Sequence, residues 1–159
     1  MQIRVHVATQ TLDLVDASGA LARRYTVSTS KFGTGFEPGS QKTPTGAFSI
    51  ESKWGDGAPE GEVFVSRVAT GTFGTEGDPT DHVQTRILWL TGLSEENANT
   101  HSRYIYIHGT NAESQLGSPA SHGCVRMSNA DVVDLFERVE VGTPVWILDR
   151  PSKSAPLTA

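Results

Sequence analysis

Apolar and polar positions alternate in short runs along the first two-thirds of the chain. Ile3, Val5 and Val7 fall on one side of a strand that starts at residue 2. Further alternating or β-branched runs follow at Thr11–Val15, Ala20–Ser28, Ala47–Lys53, Glu62–Ala69, Thr85–Thr91, Arg103–Ile107 and Pro144–Leu148. Asp16-Ala17-Ser18-Gly19 predicts a hairpin turn, because glycine takes positive φ without strain. Residues 29–42, with three Gly and one Pro, predict a loop. One stretch has the helical period: Val132, Val133, Leu135, Phe136 and Val139 share a face. Ser128 or Asn129 can cap it, Asp131 suits its first turn, and Val141-Gly142-Thr143-Pro144 ends it. Glu95–Ala98 predicts a short extra turn of helix. Many short strands against one principal C-terminal helix predict a mainly β fold, a sandwich or barrel.

Length and composition narrow this picture. A chain of 159 residues is expected to form one domain, here 1–149, followed by a loose tail at 150–159 that holds two Pro and two Ser. An excess of acidic residues, 18 against 13 basic, argues against a nucleic-acid partner. No segment approaches the run of about 18 apolar residues that a membrane span needs. The start, Met1-Gln2-Ile3-Arg4-Val5-His6, lacks the basic-then-apolar pattern of a secretory leader. The expectation is therefore a cytoplasmic protein, with a periplasmic or cell-wall address as the alternative if a leader had been removed. A single cysteine excludes an internal disulfide.

That cysteine, Cys124, sits in Gly117-Ser118-Pro119-Ala120-Ser121-His122-Gly123-Cys124-Val125-Arg126. A lone cysteine is commonly a small buried hydrophobe. Here the small, polar flanks predict a loop, and Arg126, His122 and the start of the predicted helix are expected to lower the thiol pKa. A nucleophilic thiol needs a base, and the base an orienting group. The strand expected to end at His108-Gly109 supplies both: His108 can face the Cys loop, and the Gly109 carbonyl can accept from the imidazole. His101, His108, His122 and Cys124 could also hold a metal, yet no His-Glu-x-x-His or Cys-x-x-Cys spacing is present, and the expectation is no metal and no cofactor. There is no Gly-x-Ser-x-Gly elbow, and the Gly-rich stretch 32–39 lacks the Lys-Ser/Thr ending of a phosphate loop. Trp89, Tyr104 and Tyr106 could line a pocket, although alternating strand aromatics are more often core.

Ser121-His122-Gly123-Cys124-Val125-Arg126, preceded by His108-Gly109, resembles the signature of the L,D-transpeptidase catalytic domain family of the YkuD type. Thr43-Pro44-Thr45-Gly46 with Phe48, the helix at 129–139 and Gly142-Thr143-Pro144-Val145 extend the likeness over residues 2–148. The resemblance implies a YkuD-like β fold with the Cys loop at one end. It implies peptide stems of peptidoglycan as substrate, cut between the L-centre of the third residue and the fourth-position D-Ala. It implies Cys124 as nucleophile, His108 as base, Gly109 as orienter and the amides of Gly123 and Cys124 as oxyanion donors. Arg126, with His122, Ser121 and Tyr106, is expected at the substrate: Arg126 resembles the residue that supports the site and engages substrate charge, as a fork for the terminal carboxylate, and the roles of Ser121 and His122 stay open. Acylation by carbapenem-type β-lactams is a further implication. The missing leader favours an L,D-carboxypeptidase acting on tetrapeptide muropeptides in recycling. A cross-linking L,D-transpeptidase is the alternative, and a silent peptide- or wall-binding domain of the same fold a third reading.

Overall fold

The N-terminal alternation forms a tight pair of strands. In β1 (Gln2–His6) and β2 (Thr11–Val15), Ile3 faces Leu14 and Val5 faces Leu12, and all four are fully buried. The Asp16 carboxylate shapes the turn into β3 (Leu21–Ser28) by accepting from the amides of Ser18 and Ala20 at 2.9 and 3.0 Å. The computed structural model describes residues 1–149, so the tail expected at 150–159 lies outside the described residues. The remaining strands are β4 (Gly46–Trp54), β5 (Glu62–Val65), β6 (Val68–Phe73), β7 (Val83–Gly92), β8 (Tyr106–Gly109), β9 (Val125–Met127) and β10 (Pro144–Leu148). They run in the order β4-β10-β1-β2-β3-β9-β8-β7-β5-β6, and an added β4–β7 pairing closes the first eight into a barrel-like sheet.

Strand β7 is the branch point. Its first half pairs with β5 and its second half with β4, while β8 runs along its other side. The register shifts between Gln84 and Ile87, and Thr85 there takes φ 78°. That conformation costs a β-branched residue about 1–3 kcal/mol. The Thr85 hydroxyl offsets this by donating to Asn129 Oδ1 and accepting from the Gly61 amide. The β5–β6 hairpin thus projects from the closed sheet, and every residue of β6 is exposed.

Helix α1 (Asn129–Arg138) starts where expected. Ser128 is the cap, accepting from the Asp131 amide at 3.1 Å, and Asn129 turns its side chain toward β7 instead. Val132, Leu135 and Phe136 are buried as α1 packs on β7 and β8. Each such side chain stabilises the fold by about 1.5–3 kcal/mol. Lys53 of β4 donates to the Phe136 and Val139 carbonyls at 2.7 Å, satisfying the last turn.

Three local expectations are corrected. Glu62–Ala69 is not one strand: Ser66 and Arg67 both take positive φ (48° and 66°) and turn it into the β5–β6 hairpin without the usual Gly or Asn. Arg103 and Tyr104 are not strand residues, because His101–Arg103 is a short 3₁₀ turn and Tyr104 closes it with φ 56°. The segment after Cys124 is not loop: Val125–Met127 forms β9, which inserts between β3 and β8.

Gly109 of β8 has no room for a side chain. A Cβ there would lie 2.6 Å from the Gln84 carbonyl oxygen and 2.7 Å from Asn129 Oδ1. Gly109→Ala is expected to lower stability by about 1–3 kcal/mol through overpacking against β7. Urea unfolding checks this, and an unchanged midpoint would show that β7 yields.

Candidate active site

The Cys loop is stapled before it reaches β9. Ser121 is 0% exposed; its hydroxyl donates to the Cys124 carbonyl at 2.7 Å and accepts from the Gly123 amide at 3.3 Å. Its backbone is tied to Thr29 and Lys31 at 2.9 and 3.0 Å. Thr43 holds the other side of the loop, donating to the Gly123 carbonyl at 3.0 Å and accepting from the Ser30 amide at 3.0 Å. This explains the Thr-Pro-Thr-Gly block far upstream. Gly123 takes φ 124°, a region other residues avoid, and the chain then delivers Cys124 to the edge of β8.

Cys124 is partly exposed, and Val125 and Arg126 pair with Ile107 and His108 in a parallel ladder. Paired residues of such a ladder share a face, as do residues two apart. Tyr106, His108, Cys124 and Arg126 therefore stand on one face, with His108 one diagonal step from the cysteine. The Tyr106 amide donates to Cys124 Sγ at 3.3 Å, and the thiol donates to the Tyr104 carbonyl at 3.4 Å. A carbonyl accepts only from S–H, so this contact suits a protonated sulfur. Crowding by the surrounding protein pushes its pKa up to about 12. The expected lowering does not occur: Arg126 acts on the sulfur too weakly to offset that burial, and His122 faces Asp81.

His108 is 2% exposed, and its Nδ1 lies 2.6 Å from the Gly109 carbonyl. That oxygen can only accept, so Nδ1 carries the proton and Nε2 holds a free lone pair. Burial lowers the His108 pKa, outweighing the Gly109 hydrogen bond and the Asp81 charge. The imidazole is thus neutral near pH 7, and a neutral base stands beside a protonated thiol.

Asp81 is the residue that sequence reasoning missed. Its two oxygens take Arg126 Nη1 at 2.9 Å and His122 Nδ1 at 2.8 Å. Burial opposes its ionisation, but the His122 hydrogen bond and, at the acid pH where a carboxylate titrates, the charges of protonated His108 and of Arg126 prevail and hold its pKa below the usual carboxylate value. Nothing local marks it in Asp78-Pro79-Thr80-Asp81 except a turn composition.

Two of the residues expected at the substrate are engaged within the protein. Arg126 is 3% exposed, with Nη1 on Asp81 and Nη2 on Gln115 Oε1 at 2.9 Å, so its fork is already occupied. Ser121 is sealed inside the loop it staples. His122 stays half-exposed, lining a polar cavity of about 420 Å³ with Lys31, Asp81, Gln115 and Arg126. Trp89 and Tyr106 belong to a small buried cluster with Phe64 and Ile87, against which Cys124 packs; Tyr104 is 57% exposed. His101 stacks on Trp89 at 3.9 Å and pairs with Glu51. Among the described residues, no group of three or more His, Cys, Asp or Glu is arranged to hold a metal, and no helix is long and apolar enough to cross a membrane.

The family model for the L,D-transpeptidase catalytic domain, YkuD, matches residues 1–147. The putative L,D-transpeptidase YqjB of Bacillus subtilis is 36% identical over 109 residues, covering 65% of this chain and 60% of that protein. The probable L,D-transpeptidase YbiS of Escherichia coli K12 is 52% identical over 52 residues, 33% of this chain and 17% of that protein. This chain thus spans less than two-thirds of the length of either relative. The solved structure of LD transpeptidase LdtMt1 in complex with imipenem shares the fold, with TM-score 0.57 and 21% identity over 92% of this chain and 57% of that one.

A thiol pKa near 12 leaves little thiolate at neutral pH. Iodoacetamide should modify Cys124 at pH 7 at least roughly tenfold more slowly than it modifies free cysteine, whose pKa is about 8.5. The rate should climb as pH rises toward the thiol pKa. Mass-spectrometric rates check this, and a faster-than-free reaction would mean a resting thiolate.

Proposed function

The chain belongs to the L,D-transpeptidase catalytic domain family, and on that footing we propose that it cleaves the bond between the third-position L-centre and the terminal D-Ala of peptidoglycan stem peptides through a thioester on Cys124. One observation carries this reading: the β8–β9 register and the Tyr106 amide put the Cys124 thiol on the face of a buried histidine whose tautomer leaves Nε2 free to accept.

In the proposed cycle, Cys124 Sγ attacks the scissile carbonyl carbon while its proton passes to His108 Nε2. The Tyr106 amide, already on the sulfur, stabilises charge that develops there. The amides of Gly123 and Cys124 are the proposed oxyanion donors; at rest the Gly123 amide makes only a long bond to Ser121, which an oxyanion can displace. Collapse breaks the C–N bond, D-Ala leaves as the amine with the proton from His108, and the acyl group stays on sulfur. His108 then deprotonates the acceptor that attacks the thioester.

Water as acceptor gives the tripeptide, an L,D-carboxypeptidase reaction, and a partly exposed Cys124 supports its entry. An amine from a second stem gives a cross-link, and the polar cavity lined by His122 and Arg126, each two residues from Cys124, supports this second reading. Incubating a purified tetrapeptide muropeptide with and without an acceptor stem separates the two. Tripeptide in both cases establishes hydrolysis; dimer without tripeptide establishes cross-linking.

Cys124→Ala and His108→Gln are each expected to reduce turnover by about 100-fold or more. For the unsubstituted enzyme, kcat/KM should fall as pH drops through the depressed His108 pKa, below 6.5, because imidazolium cannot accept the thiol proton. It should stay level from there to mildly alkaline pH. An acid limb centred above pH 7 would contradict the neutral-base mechanism. Imipenem, a carbapenem, is expected to add its mass to the intact protein at Cys124 and not to Cys124→Ala.

A further inference from the structure

Three arginines stand around Cys124 and Tyr106, and two of them have both terminal nitrogens hydrogen-bonded. Arg126 is forked between Asp81 and Gln115. Arg103 donates to the carbonyls of Lys42 at 2.6 Å and Gly35 at 3.3 Å. The third, Arg67, sits at the tip of the β5–β6 hairpin in a left-handed conformation with φ 66°. Its guanidinium carbon lies 4.3 Å from the Trp89 ring centre and 5.9 Å from those of Trp54 and Tyr104. Nη1 donates to the Tyr106 hydroxyl at 3.0 Å. Among the described residues, no ion pair involves Arg67. A cation held over aromatic rings, with most of its donors unused and no counter-charge, is a carboxylate receptor in waiting.

Its position relative to the nucleophile is fixed by one residue. Tyr106 touches Cys124 Sγ through its amide and Arg67 through its hydroxyl, so a single tyrosine spans the interval between sulfur and guanidinium. Trp54 and Tyr104, both exposed, flank the same spot. A peptide whose scissile carbonyl rests on the sulfur carries its terminal carboxylate only a few bonds away, and a side-chain carboxylate at the third residue falls within a similar radius.

We propose that the guanidinium of Arg67 receives a free carboxylate of the bound stem peptide and makes the site select acid-bearing stems over amidated ones. This rests on the acyl-transfer reading above. It gives the role once expected of Arg126 to a residue on a different element.

Binding to the Cys124→Ala chain, measured by calorimetry, tests it without turnover. Three ligands are compared: a tetrapeptide stem with diaminopimelate at position three, its C-terminal D-Ala amide, and the stem with lysine at position three. The parent stem should bind roughly tenfold or more tightly than the analogue that lacks the recognised carboxylate. Loss with the amide identifies the terminal carboxylate; loss with the lysine stem identifies the third residue. Adding Arg67→Gln should bring that ratio close to one, and Arg67→Lys should restore part of it. Where Arg67→Gln fails to fold, the fall of the ratio with added salt in the Arg67 chain gives the same reading. Equal binding of all three ligands, no binding of the parent stem, or a ratio untouched by Arg67→Gln overturns the proposal. Turnover by the unsubstituted chain is scored separately: an acid preference without turnover rejects the acyl-transfer reading alone, and turnover without a preference rejects the Arg67 role alone.

Discussion

The parallel pairing of β8 with β9 sets where His108, Cys124 and Arg126 stand. Parallel neighbours need a crossover between them, and here the crossover is the loop that carries Ser121, His122, Gly123 and Cys124. Once His108 is in register with Arg126, the cysteine two residues earlier must lie beside Tyr106, and the imidazole must share its face. Gly109 fixes the far end of the same strand. It is too closely pressed on β7 to carry a Cβ, and its carbonyl selects the histidine tautomer. One hydrogen-bonded ladder therefore determines position, orientation and protonation pattern together.

A ladder of this kind brings charged side chains inside the protein, and they need partners. Arg126 would be a buried unpaired cation if Asp81 and Gln115 did not take two of its nitrogens. Asp81 in turn draws in His122 and so connects the crossover loop to the segment before β7. The loop is thus held twice: by Ser121 and Thr43 through its backbone, and by Asp81 through His122 and the strand that follows. Removing Asp81 would leave Arg126 facing an uncompensated burial, which is why such networks hold or fail as a unit.

Much of this was legible in the sequence because it depends on local patterns. Alternation located most strands, the period of Val132, Leu135 and Phe136 located the helix, and the spacing of His108 to Cys124 singled out two residues that the β8–β9 ladder sets on one face. What was not legible depends on distant partners. Val125–Met127 is too short to read as a strand and exists because β3 and β8 need a neighbour between them. The turn at Ser66–Arg67 has no Gly or Asn; positive φ there is imposed by pairing on both sides. Asp81 lies 45 residues from the arginine it binds, and only the folded chain brings the two together. The partners of Arg126 were not legible either, because a sequence shows a charge without showing whether another charge already answers it.

The same point decides how the thiol is activated. Cationic neighbours lower a thiol pKa only in so far as their field reaches the sulfur. Arg126 faces the Asp81 carboxylate, which raises the thiol pKa while Arg126 lowers it, and burial exceeds both. The site therefore does not store a thiolate. It stores geometry: a proton on sulfur aimed at the Tyr104 carbonyl, an amide already on that sulfur, and an imidazole with its acceptor nitrogen free. In such a site proton transfer becomes favourable only as the carbon–sulfur bond forms and charge moves onto the substrate oxygen. On the proposed acyl-transfer reading, reactivity then depends on a carbonyl being held against the sulfur, so whatever positions the peptide would control the chemical step as well as binding. That places the weight of selectivity on the exposed rim around Tyr104, Trp54 and the β5–β6 hairpin, and away from the sealed polar network behind it.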